Sequence, residues 1–277
     1  MQKDSQEYLY HYTSIESLAL ILKNHTIRLN TLDKMDDLQE QKTRDVQNFG
    51  KFFFVSSWTS LESESIPMWK MYTPQTRGVR IKLAKNPFKW QQTKGSEFEQ
   101  LPGYKAVDQE SRDFVRETFI NWADMMLQGV YSPQAGNGEL LHKVEYTSEK
   151  DLLEPKIITE TDDGLSLSFS EVGKYKNQHW AFQEEWRYLM TFIPMNFALT
   201  PAAMAKEFYE TALKIKNGTE ALPFSYYDLP IDDKFFCEME ITPSPQMTAG
   251  FRILLNDLVE KYNPTATIKE SELLNLI

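Results

Sequence analysis

The sequence predicts an α+β fold, a mixed or antiparallel sheet core flanked by helices, and three observations carry that reading. Short runs rich in β-branched and aromatic residues alternate with amphipathic stretches at helical spacing. No Gly-rich phosphate loop joins a strand to a helix, as a doubly wound nucleotide-binding sheet would require. No repeat, low-complexity stretch or linker composition interrupts the 277 residues, so a single domain over 1–277 is expected, with a helical insertion around 105–135. A chain of this length buries roughly three quarters of its extended surface, and a 41% hydrophobic, 13% aromatic composition supplies the core.

Taken in order, Tyr8 to Tyr12 is a short apolar strand, and Thr13 with Glu16 has the spacing of a capping box. The helix that follows places Ile15, Leu18, Ala19 and Leu22 on one face, stops at Asn24 and leads into an extended Thr26 to Asn30. Asp33 to Gln47 reads as a solvated loop or short helix. Phe52 to Trp58 and Gly78 to Leu83 read as strands. Asp108 to Tyr131 gives the longest helical pattern, stopped by Ser132-Pro133 and expected to pack across the central strand. Val144 to Tyr146 is a short strand, Leu167 to Tyr175 a helical middle, and Gln183 to Phe192 a strand at the centre of the sheet. Thr200-Pro201 opens a helix that Asn217-Gly218 closes. Phe235 to Ile241 is a strand candidate. A last helix from Gln246 to Tyr262, with Phe251, Leu254, Leu255, Leu258 and Val259 inward, precedes a paired Thr265 to Lys269.

Composition narrows the function. Thirty Lys+Arg against 40 Asp+Glu leave a net charge of −10, with the cations scattered, so no broad nucleic-acid surface is expected. The lone Cys237 allows no internal disulfide, and the four histidines never take metal-binding helical spacing, so no metal is expected. No stretch reaches the roughly 18 apolar residues of a membrane helix, and the start carries no apolar export segment, so a cytoplasmic protein with no membrane partner is expected.

Three clusters have the residue types for binding and chemistry. His11, in Tyr10-His11-Tyr12-Thr13 beside a helix start, is placed to bond a ligand hydroxyl; the alternative is a half-buried His bonded to a backbone carbonyl. The hydroxyls of Ser56, Ser57 and Thr59 follow an apolar strand, and with Trp58, Trp69 and Tyr72 they would line a pocket for a flat ring and its sugar; ordinary core packing is the alternative. In the third cluster, period two puts Gln183, Glu185 and Arg187 on one strand face. A carboxylate between an amide and a guanidinium is held ionised and oriented, which suits stabilising an oxocarbenium-like centre. A surface Glu185–Arg187 pair worth about 0–1 kcal/mol is the alternative. A small-molecule ligand is the partner these clusters favour. A third reading, a nuclease, rests on the acidic loop Asp36, Asp37 and Glu40, although a loop with three acids is more often merely solvated.

Leu9 to Thr13, Ile27 to Asn30, Met35-Asp36-Asp37 with Glu40, Phe54 to Ser56, Pro67 to Trp69 with Tyr72, Arg77 to Val79, Val144 to Tyr146, and Lys176 through Trp180 to Arg187 together resemble the bacterial domain-of-unknown-function family twenty-nine seventy-one over nearly the whole chain. That family's acidic loop reads Asn-Asp-Pro and its late motif Glu-x-Glu-aromatic-Arg. Here Met35 and Asp37 depart from the first and Gln183 from the second, while Asp36, Glu185 and Arg187 match.

The order of His11 or Arg28, Ser57 with Thr59 or Tyr72, and Gln183-x-Glu185 more distantly resembles ADP-ribosyltransferases. That resemblance implies an NAD-dependent ADP-ribosyltransferase or NAD glycohydrolase, with bacterial defence or toxin–antitoxin biology as one setting. It also implies NAD as co-substrate, Glu185 and Gln183 as catalytic residues, and His11, Tyr12, Arg28, Ser57, Tyr72 and Arg187 as cofactor-binding. His11 and Arg28 would hold a ribose, Tyr72 would stack on nicotinamide, Glu185 would steady the ribosyl cation and Gln183 would position the acceptor. The alternative from another class is a non-catalytic ligand- or protein-binding module. The two part on geometry, since the enzyme needs His11, Tyr72 and Glu185 in one cleft.

Overall fold

The computed structural model describes residues 8–101, 104, 108–135, 139–161, 164–197 and 201–277. Strand β1 (Tyr8–Ser14) leads directly into helix α1 (Ile15–Asn24), which ends where His25 adopts the left-handed conformation and its N–H reaches the Ile21 carbonyl. The cap is Ser14, whose hydroxyl accepts from the Ser17 N–H at 3.3 Å. The expected cap, Thr13, lies one residue further back in the strand, opposite Val79, and the helix begins after Ser14. Strand β2 (Thr26–Thr31) follows, then β3 (Phe53–Thr59), α2 (Ile66–Tyr72) and β4 (Gly78–Ala84).

The segment expected as one long helix is four short elements. Strand β5 (Gln91–Lys94) precedes α3 (Gln109–Asp113), β6 (Val115–Thr118), α4 (Trp122–Leu127) and β7 (Val130–Tyr131). Helical periodicity fails because Phe114 and Val115 are 41% and 52% exposed while β6 pairs with β5. Asn121 restarts the chain as an N-cap, accepting from the Asp124 N–H at 3.1 Å. Ile120, Met125 and Val130 still enter the core beside Phe192. The insertion is thus mixed rather than helical, and its residues 105–107 lie outside the described residues.

Strands β8 (Leu141–Lys143) and β9 (Glu145–Thr147), helix α5 (Lys150–Leu153), and strands β10 (Ile158–Thr161), β11 (Gly164–Leu167) and β12 (Tyr175–Asn177) come next. The helix expected over Leu167 to Tyr175 is a strand end, a turn and a strand start, with Gly173 at φ 78° closing the turn. Strand β13 begins at Glu185 and runs to Thr191, followed by β14 (Ile193–Pro194). Gln183 is not on it. It ends a 3-10 turn over Gln178–Gln183, and Glu184 is left-handed between them, so pleat alternation does not relate Gln183 to Glu185.

Helix α6 (Pro201–Lys216) starts on its proline and stops before Gly218 at φ 69°; the expected Thr200 cap lies outside the described residues. Strand β15 (Tyr226–Pro230), helix α7 (Asp233–Cys237), strand β16 (Glu240–Pro243), helix α8 (Ala249–Tyr262) and strand β17 (Thr267–Ile268) complete the order. Phe235 is therefore helical, capped by Asp232, and only the end of the expected Phe235–Ile241 strand forms. In α8, Leu255 and Val259 are inward, while Leu254 is 52% exposed.

The main sheet runs β15-β2-β3-β1-β4-β16-β17, with β13 on the other edge of β3 and β8 beyond it. All its pairs are antiparallel except β16–β17. Side chains alternate between two cores. Phe54, Trp58, Tyr188 and Met190 face the α1 and α8 side with Leu18, Leu22 and Leu255. Phe53, Val55 and Leu189 face Leu32, Phe49 and Ile157. One irregularity positions the site. β13 pairs with β3 along its whole length, from Glu185 opposite Thr59 to Thr191 opposite Phe53. The opposite edge of β3 is shared: β2 takes Phe54 and Val55, β1 takes Thr59, and Ser56, Ser57 and Trp58 have no strand partner there. The sheet splits at that point.

Candidate ligand-binding site at the sheet split

A cleft of about 400 Å³ opens at the split, lined by His11, Tyr12, Arg28, Ser57, Tyr72, Gln183, Glu185 and Arg187, whereas Thr59 and Trp69, expected in the pocket wall, are buried beside it and do not line it. His11 and Tyr12 come from β1, Arg28 from β2, Ser57 from β3, Tyr72 from α2, Gln183 from the 3-10 turn, and Glu185 and Arg187 from β13. The split also explains the state of His11. The unpaired stretch of β3 leaves the Ser57 carbonyl without a strand donor, and His11 Nδ1 lies 2.8 Å from it. A carbonyl only accepts, so Nδ1 carries the proton and Nε2 is left as an acceptor. Burial lowers the His11 pKa, against a smaller upward pull from the Ser57 carbonyl, so the ring is held neutral. His11 therefore bonds a backbone carbonyl, as the alternative reading expected, and also lines the cleft.

Glu185 is not a surface residue. It is 3% exposed, and its carboxylate lies between two buried cations, 2.6 Å from Arg187 Nε through Oε1 and 3.0 Å from Lys176 Nζ through Oε2. Its backbone N–H donates to the Tyr146 hydroxyl at 2.8 Å. Burial alone would raise its pKa, but the charges of Arg187 and Lys176 outweigh that and hold it down at about 2. The same burial would lower Arg187, and Glu185 and Glu40 reverse it, keeping the guanidinium charged. The opposite sign rules for Tyr146, whose phenol burial pushes up to about 12.

Glu40 completes the group. Its oxygens lie 3.0 Å from Lys176 Nζ and 2.5 Å from Arg187 Nη1, contacts of charge whose geometry falls outside directed hydrogen bonds. Two carboxylates and two cations thus neutralise each other in the interior, with the Gly173 carbonyl accepting from Arg187 at 3.1 Å. Glu40 and Lys176 belong to the motifs quoted from the sequence, yet nothing in their local pattern assigns them to the site. The three acids of the loop do not act together: Glu40 is buried in ion pairs, Asp37 accepts from the Gln39 N–H at 2.9 Å, and Asp36 lines the cleft. Among the described residues, no group of three or more His, Cys, Asp or Glu side chains is arranged to hold a metal ion. Nor is any helix among them long and apolar enough to cross a membrane.

Gln183 is tied at both ends. Lys176 Nζ donates to its Oε1 at 2.9 Å, and its amide nitrogen donates to the Tyr72 hydroxyl. An amide engaged in this way is held in one orientation between Lys176 and Tyr72 and keeps one N–H uncommitted. At the rim Arg28 makes a fork with Asp228, Nε to Oδ1 and Nη2 to Oδ2 each 2.8 Å, and stacks 3.7 Å over the Tyr226 ring. Asp228 was not legible as a partner, because β15 meets β2 only through the sheet register that sets Asp228 opposite Arg28. No protein-family model, no curated protein and no solved structure matches this chain.

Proposed function

We propose that the cleft binds NAD and that the protein cleaves its nicotinamide–ribose bond, transferring ADP-ribose to an acceptor or to water. The carrying observation is the convergence of His11, Arg28, Tyr72, Glu185 and Arg187 on one cleft at a sheet split. In the reaction the C1′–N bond breaks and its electron pair leaves with nicotinamide, which becomes neutral. A bond from C1′ to the acceptor atom forms, and the proton that atom gives up passes to solvent water. The developing positive charge at C1′ favours a fixed carboxylate, and Glu185 is held ionised across the working pH range. His11 Nε2 is polarised to accept from a ribose hydroxyl, and the aromatic wall of Tyr12, Trp58 and Tyr72 suits a flat base.

One observation favours a second reading, a non-catalytic ligand-binding module: each oxygen of Glu185 already faces a buried cation. The experiment that separates them is calorimetric titration with NAD together with an assay for free nicotinamide and for transferred label. Binding with nicotinamide release supports the enzyme. Binding without release leaves the module, and no binding removes NAD from the proposal.

A further inference from the structure

The hydrogen-bond polarity of the cleft wall is fixed by a buried lysine, Lys176. An ammonium has donors only, so the Gln183 atom 2.9 Å from Lys176 Nζ is the amide oxygen. The amide nitrogen is then turned toward Tyr72, and the phenol oxygen accepts from it. With that oxygen acting as acceptor toward Gln183, the phenol proton must point elsewhere. No described side chain takes it, and Tyr72 lines the cleft. The Lys176 charge polarises the amide and strengthens the arrangement along the row.

The geometry points to Tyr72 as a hydrogen-bond donor to the bound ligand, with Lys176 and Gln183 as positioning residues, so that the cleft selects a ligand carrying an unprotonated oxygen acceptor on its ring end. This deepens the NAD reading and rests on it for the identity of the acceptor: Gln183 adjoins Glu185, where the nicotinamide end would lie, and the nicotinamide carboxamide offers such an oxygen. It replaces a purely stacking role for Tyr72. The phenol stays protonated, since burial raises its pKa and nearby Asp36 adds to that.

The test uses the full chain and two ring probes of matched shape, 3-acetylpyridine, which carries a carbonyl acceptor, and 3-ethylpyridine, which does not. Binding is followed by ligand-observed NMR for the wild type, Tyr72→Phe and Gln183→Glu. One neutral hydrogen bond predicts a roughly five- to tenfold preference of the wild type for the acetyl probe. Tyr72→Phe removes the donor. Gln183→Glu keeps the shape but accepts from both Lys176 and Tyr72, pulling the phenol proton inward and turning its lone pair to the ligand. The preference should vanish in both, and Gln183→Glu provides the reading if Tyr72→Phe does not fold. A wild type that binds the probes equally or not at all, or a preference that survives in either variant, overturns the inference. Parallel titration with NAD keeps the two claims apart: the ketone preference without NAD binding upholds the donor and fails the nucleotide reading alone.

Discussion

Glu40 Oε2 lies 2.5 Å from Arg187 Nη1, with both side chains 1% exposed. A loop residue and a strand residue are thereby locked together beneath the cleft. Leu32 anchors one end of that loop and Val46 the other in the same core, so Glu40 is the polar fastening between two apolar ones. Met35 and Asp36, which line the cleft, ride on the fastened segment.

Glu40→Gln should therefore destabilise the protein by about 3–5 kcal/mol, because it leaves Lys176 and Arg187 facing a single carboxylate in the interior. The midpoint of urea unfolding should drop with little change in slope. Chelator should not shift the wild-type melting temperature, as it would if these acids held a metal. A loss under about 1 kcal/mol would show that the charge group does not secure the loop.

Residue types decided some of this in advance and tertiary partners decided the rest. Glu185 and Arg187 were legible as a pair on one face because β13 is a regular strand with period two. Gln183 reaches the same place by another route, through a 3-10 turn and a left-handed Glu184, which no alternation rule encodes. The capped helix α1 and the proline-started α6 follow from local signals. The 108–131 segment misled because its apolar residues mimic a helical face while Phe114 and Val115 are on the surface. Glu40 looked solvated because only the distant Lys176 and Arg187 make its burial tolerable.

Acid should unfold the protein in two stages. His11 sits below its ordinary 6.5 through burial, and His142 does so through burial and then Lys174, so the unfolded chain takes up these protons first and stability declines as pH falls below about 6.5. Glu185 is depressed from 4.5 to about 2, so its contribution is complete above about 4.5 and is lost between there and about 2. That second stage is worth on the order of 3 kcal/mol. Urea midpoints measured from pH 8 to 3 should show both slopes, and His11→Gln should flatten the first. Level stability from pH 7 to 5 would contradict the buried neutral ring.

Gly173→Ala tests the support beneath Arg187. Gly173 has φ 78°, and a Cβ there would come within 2.7 Å of Leu189 Cδ1. Its carbonyl is the one Arg187 donates to. Gly218→Ala is the control, with φ 69° but its nearest atom, the Gln47 carbonyl oxygen, at 3.8 Å. Left-handed backbone alone should cost each variant about 1–2 kcal/mol. Gly173→Ala should lose more than Gly218→Ala and should also weaken the proposed binding of NAD. Equal losses would mean that the turn adapts without moving Arg187.

The charge of Glu185 has two tasks in the proposed enzyme, and they can be separated. Replacing it by Gln keeps the shape and removes the negative charge between Arg187 and Lys176. A surface Glu185–Arg187 pair would leave the melting temperature nearly unchanged; Glu185 is buried, so Glu185→Gln should lose about 3–5 kcal/mol. It should also slow nicotinamide release roughly a hundredfold to a thousandfold, the usual effect of removing one electrostatic partner of a transition state. A destabilised protein that is also inactive proves little. Adding Lys176→Met removes one buried cation, so that Glu40 and Arg187 again balance, and the double variant should regain stability over Glu185→Gln. Nicotinamide release should stay lost, because neutrality is restored while the carboxylate facing C1′ is not. If the double variant folds well and turns over NAD at the wild-type rate, Glu185 is a structural charge, and the cation must be stabilised elsewhere in the cleft.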